Sequence, residues 1–60
     1  MRLIKLTDTD GIEFYVDVDD IQEIKDRRKV RTISFKSGAD SVNVIESVSL
    51  ILRRIKEAKR

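Results

Sequence analysis

The chain of 60 residues contains no cysteine, histidine, proline or tryptophan. Without cysteine it cannot form a disulfide, and without cysteine and histidine a structural zinc ion would have only carboxylate ligands. We therefore expect no metal and no cofactor. A chain this short buries only about 60% of the surface that its unfolded form exposes, so the core is thin. Because disulfides and zinc are excluded, oligomerisation is the common route to stability that is left, with a homodimer as the first expectation.

Long apolar runs are absent as well, and none approaches the ~18 residues of a membrane span. Residues 1–3 lead directly into a strand-like pattern rather than into a signal peptide, which predicts a cytoplasmic protein without membrane insertion. Charged residues and apolar residues each make up 40% of the chain. This balance is typical of a folded domain with a heavily charged surface rather than of a disordered chain.

Few residues suit catalysis or metal binding. A serine nucleophile needs a base that accepts its proton, and histidine, the commonest such base, is missing, while nothing positions a lysine instead. Asp8-x-Asp10-Gly11 resembles the start of a calcium loop, but the further acidic ligands do not follow, so we interpret it as a turn. The acidic run from Asp17 to Asp20 is interpreted as a solvated strand end. We predict that the protein is not an enzyme.

Residues 2–45 alternate apolar and polar side chains in the way that is typical of strands with one buried face. The clearest case is Ile12, Phe14 and Val16, which alternate with polar neighbours. Ile21 and Ile24 are three residues apart, which indicates either an opening helical turn or a β-bulge. The pattern predicts a small antiparallel meander sheet of about five strands, at residues 2–7, 12–18, 21–27, 30–36 and 41–45.

The last part of the chain has helical periodicity. A stripe of apolar residues recurs at helical spacing and consists of Val48, Ile51, Leu52, Ile55 and Ala58. Ser47 precedes the stripe as an N-cap, and basic residues at the far end suit the negative end of the helix dipole. We predict one helix over residues 47–59 packed on the sheet, which makes residues 1–60 a single domain of the α+β class.

A basic run is the first candidate for a binding feature. Five cations occur within seven residues, on a hairpin that is expected to protrude: Lys25, Arg27, Arg28, Lys29 and Arg31. Such a cluster suits contacts with several phosphates of a nucleic acid. Asp26 interrupts the run, and it contains no aromatic residue that would stack on bases.

Leu50 and Tyr15 are the second candidate. Leu50 falls outside the apolar stripe of the helix, and Tyr15 lies on the polar face of its strand. Together with the thin core, they indicate that the helix has a second apolar side that contacts another copy or another partner. The unpaired edges expected of so small a sheet offer a further surface with which a partner chain pairs.

A series of short segments spans nearly the whole chain: Ile4-Lys5-Leu6-Thr7, Asp10-Gly11, Glu13-Phe14-Tyr15-Val16, Asp20-Ile21, Glu23-Ile24, a strand that ends at Gly38, Val44-Ile45-Glu46-Ser47-Val48 and a final Lys59-Arg60. In order and spacing these segments resemble the small FlbD-like flagellar proteins that are associated with swarming motility. The resemblance implies a non-enzymatic accessory protein that acts through protein contacts. Short proteins of similar pattern also occur in phages and other mobile elements.

A second resemblance, over residues 21–58, is to the LytTR-type DNA-binding domain. In that family the loops between strands and helix contact DNA, which would give this role to Arg27, Arg28, Lys29 and Arg31. The sequence thus supports two hypotheses. The first is a self-associating protein-interaction module, and the alternative is a small DNA-binding module that uses the basic hairpin.

Overall fold

The computed structural model describes residues 2–60 and assigns them five β-strands, one 3-10 turn and one α-helix. The elements, in chain order, are β1 (Leu3–Thr7), β2 (Glu13–Asp17), the 3-10 turn (Val18–Asp20), β3 (Ile21–Asp26), β4 (Arg31–Phe35), β5 (Val42–Val44) and α1 (Val48–Ala58). Each strand and the helix lies within the range that the sequence predicts for it. The predicted fold class, α+β with antiparallel strands and one C-terminal helix, is confirmed.

β1 and β2 form an antiparallel hairpin whose register runs from Leu3 opposite Asp17 to Thr7 opposite Glu13. The turn between them follows from its residue types. Asp8 accepts hydrogen bonds at one carboxylate oxygen from two backbone N–H groups, those of Asp10 and Ile12, each at 2.9 Å. Gly11 adopts a φ of +83°, in the region that L side chains rarely adopt. The interpretation of Asp8 to Gly11 as a turn is therefore confirmed.

β3, β4 and β5 form a separate three-stranded antiparallel meander. The spacing of Ile21 and Ile24 left a helical turn and a β-bulge as alternatives, and the structure contains both, at neighbouring positions. The 3-10 turn precedes β3, and a shift of register between Ile21 and Glu23 is the bulge. The carboxylate of Asp17 begins the 3-10 turn by accepting from the N–H of Asp19 at 3.0 Å.

The two sheets meet where β1 and β5 end. Asp8 and Val44 form an isolated antiparallel bridge, and the N–H of Ile45 donates to the carbonyl of Thr7 at 3.0 Å. The strands therefore follow each other in space as β2–β1–β5–β4–β3, which differs from the sequential meander that the sequence predicts. The reason is the 3-10 turn, which carries the chain from β2 into a new sheet instead of a hairpin with β3.

α1 begins at the predicted N-cap, because the hydroxyl of Ser47 accepts from the N–H of Leu50 at 3.2 Å. Ile51 is fully buried, and Ile55 and Ala58 pack against the same core. Leu52, which the sequence places in the buried stripe, is 53% exposed, while Leu50 is half-buried. The prediction for Leu52 is wrong because the core contacts a narrower face of the helix than the apolar pattern spans. The buried apolar residues are Ile4, Leu6, Val16, Val18, Ile33, Val44 and Ile51.

Candidate functional site

Within residues 2–60 no group of three or more acidic side chains is placed to hold a metal ion. Three of the acidic residues that the sequence singles out accept hydrogen bonds from other parts of the chain. Asp8 and Asp17 accept backbone hydrogen bonds in turns, and Asp20 accepts from the N–H and the hydroxyl of Ser37, both at 2.8 Å. In the same part of the chain no helix has the length and apolar character needed to cross a membrane.

The basic hairpin joins β3 to β4, and its tip carries three exposed cations, Arg27, Arg28 and Lys29. The N–H of Arg27 donates to the carbonyl of Val30 at 2.9 Å, which closes the turn. The turn uses no positive φ, in keeping with the lack of glycine and asparagine in it. None of the three side chains takes part in an ion pair within residues 2–60.

Arg31 and Lys25, the other two candidate phosphate contacts, are placed differently. The side chain of Arg31 is only 14% exposed and donates from Nη2 to the carbonyl of Ile45 at 2.8 Å. Its Nη1 also lies 3.6 Å from the carboxylate of Asp26. Arg31 thus links β4 to the segment after β5, whereas Lys25 is exposed and lies 3.9 Å from the carboxylate of Glu23. The structure therefore groups three of the five cations at one tip.

The second structural feature is the edge of β1 that faces away from β2, here called the second edge. The N–H of Asp8 donates to Ile12, and the carbonyl of Arg2 accepts from Val18, which places the even-numbered residues of β1 on the β2 side. Antiparallel pairing alternates along a strand, so the N–H and C=O groups of Leu3, Lys5 and Thr7 face the second edge.

Side chains close one half of this edge. The N–H of Thr7 donates to Oε1 of Glu46 at 2.9 Å, and the carbonyl of Thr7 accepts from Ile45. Arg54, from the middle of α1, donates from Nη1 to the carbonyl of Lys5 at 2.6 Å and lies 3.3 Å from Oε2 of Glu46. The pair Glu46–Arg54 thus satisfies strand backbone groups that would otherwise need another strand.

The ionisation of Glu46 favours this arrangement. Glu46 is only 9% exposed, and burial by itself raises the pKa of a carboxyl group. The hydrogen bonds from Thr7 and Arg54 outweigh that effect and hold the pKa of Glu46 below its ordinary value of 4.5. Glu46 is therefore a carboxylate at neutral pH, and its charge is matched by Arg54.

The other half of the second edge is open. It consists of the N–H and C=O of Leu3 and the N–H of Lys5, and within residues 2–60 no other group forms a hydrogen bond with them. A cleft of about 380 Å³ lies beside this open half, between β1 and the last turns of α1. Its lining consists of Leu3, Ile4, Lys5, Arg54, Glu57 and Ala58.

The two residues singled out for partner contacts, Leu50 and Tyr15, lie outside the lining of this cleft, and Leu50 lines a separate cleft with Ser47, Ser49 and Arg53. Leu50 precedes Arg54 by one turn and Glu57 by two, so the three share one side of α1. Tyr15 is 66% exposed and stands directly opposite Lys5 on the outer face of the hairpin. Leu3 is 50% exposed and belongs to the same outer face. An exposed apolar and aromatic surface therefore borders the open half of the edge.

Comparison with protein-family models, with curated proteins and with solved structures finds no match to this chain.

Sequence reasoning missed Glu46 and Arg54, the pair on which the second edge depends. A signal for both was present in the pattern. Glu46 continues the period-2 spacing of Val42 and Val44, and Arg54 borders the apolar stripe of the helix, one turn before Ala58. A carboxylate at a position that the pattern reserves for an apolar residue indicates a buried ion pair.

Proposed function

We propose that this protein is a non-enzymatic interaction module that associates with further copies of itself through the open half of the second edge of β1. The observation that carries the proposal is the set of unpaired strand groups at Leu3 and Lys5. An exposed strand edge is a template for pairing with another chain, and proteins usually block edges that must stay single. Here the edge borders an exposed leucine and Tyr15, and the charge of Lys5, its one lysine, is matched by the carboxylate of Glu13 at 3.3 Å.

An accessory protein that acts through protein contacts is also what the resemblance to FlbD-like proteins implies. We further propose a cytoplasmic location, because small secreted domains are commonly held together by disulfides and this chain has no cysteine.

The test compares Leu50→Asp with Leu52→Asp by sedimentation equilibrium over a range of protein concentrations. Leu50 lies on the cleft side of α1, and Asp suits the positive N-terminal end of a helix, so this variant should stay folded and become monomeric. Leu52 is the more exposed of the two leucines and lies away from the cleft side, so Leu52→Asp should associate as the wild type does. A wild-type protein that is monomeric at millimolar concentration would overturn the proposal.

A second function is favoured by the cations at the hairpin tip. Three exposed basic side chains that form no ion pair within residues 2–60 suit contacts with nucleic-acid phosphates. The test is fluorescence anisotropy of a labelled random DNA duplex at low and near-physiological salt, with the double variant Arg27→Glu and Arg28→Glu. DNA binding predicts affinity that falls steeply with salt and is lost in the double variant. Unchanged affinity in the double variant would remove the hairpin from consideration.

A further inference from the structure

β2 presents a second free strand edge. The pairing that directs Leu3 and Lys5 away from β2 also directs the N–H and C=O groups of Glu13, Tyr15 and Asp17 away from β1. β2 pairs only with β1 among the described strands, so these groups form an unpaired outer edge. The hairpin β1–β2 therefore has one free edge on each side, and the two edges belong to different strands.

The two edges differ in charge. The cleft at the open half of β1 contains Lys5 and Arg54 together with one anion, Glu57. The lining of the cleft therefore carries one more cation than anions. The outer edge of β2 carries Glu13 and Asp17 on either side of Tyr15. Glu13 lies 3.3 Å from Lys5 of its own chain, and both groups are exposed.

We propose that copies of this chain associate head to tail, with the outer edge of β2 of one copy added as a strand to the open half of β1 of the next. This inference rests on the proposed self-association and specifies its geometry. Strand addition supplies main-chain hydrogen bonds to Leu3 and Lys5, and the acidic edge enters a basic cleft. Tyr15 of the added strand then lies beside Leu3 and the cations of the cleft, where its ring has apolar and cationic neighbours.

A head-to-tail contact, unlike a two-fold contact, does not stop at the dimer. Each copy uses two different surfaces, so every copy that has bound one neighbour still offers a free edge to another. Association therefore continues beyond the dimer, to a ring where the rotation closes and to a filament where it does not. The homodimer that the sequence suggests would be an intermediate of this process.

The test uses two variants that each block one edge. Leu3 and Tyr15 are both exposed enough to accept a charged side chain. Leu3→Glu adds an anion to the cleft of β1, where it repels the acidic edge of β2, and Tyr15→Lys adds a cation to that acidic edge, where it repels Lys5 and Arg54. If Leu3→Glu fails to fold by circular dichroism, Leu3→Pro replaces it. The N–H of Leu3 faces the open edge at the first residue of the strand, where proline is tolerated.

The readout is the mass distribution by light scattering of each variant alone and of an equimolar mixture. Each variant alone should be monomeric, because one of the two required surfaces is blocked. The mixture should form a heterodimer and nothing larger, since the intact β2 edge of the Leu3 variant meets the intact β1 edge of the Tyr15 variant. Wild type should form species larger than a dimer.

The possible failures are distinguishable. A monomeric wild type overturns self-association altogether. If the wild type associates but the mixed variants stay monomeric, self-association stands and the head-to-tail geometry is wrong. A two-fold contact uses the same surface of both copies, so mixing the two variants would not restore it. A variant that alone keeps the wild-type mass overturns the role of the edge that it blocks.

Discussion

The meander β3–β4–β5 and the hairpin β1–β2 differ in how far their outer edges are protected against pairing with another chain. The edge of β3 carries a bulge after Ile21 and exposed charged residues, which are features that discourage pairing with another chain. The second edge of β1 has no bulge and a single charged residue, Lys5, and a carboxylate and a guanidinium from distant parts of the chain close only half of it. The meander thus carries residues that block its own edge, whereas the hairpin depends on Glu46 and Arg54 and leaves strand groups at Leu3 and Lys5 without partners within residues 2–60.

The largest effect is expected from removing the buried carboxylate. Glu46→Ala should lower the free energy of unfolding by about 3 kcal/mol, because it leaves the N–H of Thr7 without an acceptor and Arg54 without its counter-ion. A domain of this size has a total stability of roughly 3–9 kcal/mol, so the loss would be readily measured by urea denaturation.

The matched control for Glu46→Ala is Glu13→Ala. It also removes a carboxylate that pairs with a cation, but Glu13 and its partner Lys5 are both exposed. Exposed ion pairs contribute about 0–1 kcal/mol to the free energy of unfolding. If the two variants lost equal free energy of unfolding, the buried pair Glu46–Arg54 would not be what stabilises the closed half of the edge.

A smaller loss is expected at the other member of the pair. Arg54→Met keeps the apolar stem of the side chain but removes the donor to the carbonyl of Lys5. Because the guanidinium is partly exposed and Thr7 still donates to Glu46, we expect a loss of about 2 kcal/mol by urea denaturation. The same change should increase the exchange rate of the Thr7 amide hydrogen, which an effect confined to the helix would not do.

The stability difference between wild type and Glu46→Gln should depend on pH. The pKa of Glu46 is lowered in the folded protein, so its ionisation stabilises the fold at pH values above the ordinary 4.5. That contribution disappears as the pH falls through the lower folded pKa. Denaturation curves should therefore differ at pH 7 and converge in acid. A difference that grows toward acid would contradict a lowered pKa.

The smallest effect is expected at the tip of the meander. Arg28→Ala with Lys29→Ala removes two exposed side chains that have no ion-pair partner within residues 2–60, so the free energy of unfolding should change by less than about 0.5 kcal/mol. Arg31→Met is the contrasting change, because it removes the donor to Ile45 and should cost about 1 kcal/mol. Equal behaviour of the two variants would mean that Arg31 does not hold β4 to the segment after β5.

Local rules were enough to predict most of the fold. Alternation gave the strands, Asp8 and Gly11 marked the first turn, and Ser47 marked the start of the helix. The order of the strands in space was beyond those rules, because it depends on a single bridge between Asp8 and Val44. The burial of Leu50 relative to Leu52 depends on how far the sheet wraps the helix, which periodicity does not encode.

The candidate site was less accessible to sequence reasoning than the fold. Tyr15 and Leu50 were recognisable as apolar residues at polar positions, but the open edge itself consists of backbone groups that every residue has. Which of them lacks a partner follows from register and from the long-range contacts of Glu46 and Arg54. Register also determines that Arg31 is held against the segment after β5 while the cations of the tip are exposed, since Arg31 pairs with Val44 in the sheet.

Hydrogen exchange of individual β1 amides at two protein concentrations tests the central claim most directly. In dilute protein the Thr7 amide should be protected, because it donates to Glu46, while the amides of Leu3 and Lys5 should exchange freely. At concentrations where the wild type associates, Leu3, Lys5 and Tyr15 should gain protection together. Protection of Leu3 and Lys5 already in the monomer, or no gain on association, would contradict the account of an edge that is half closed and half open to another copy.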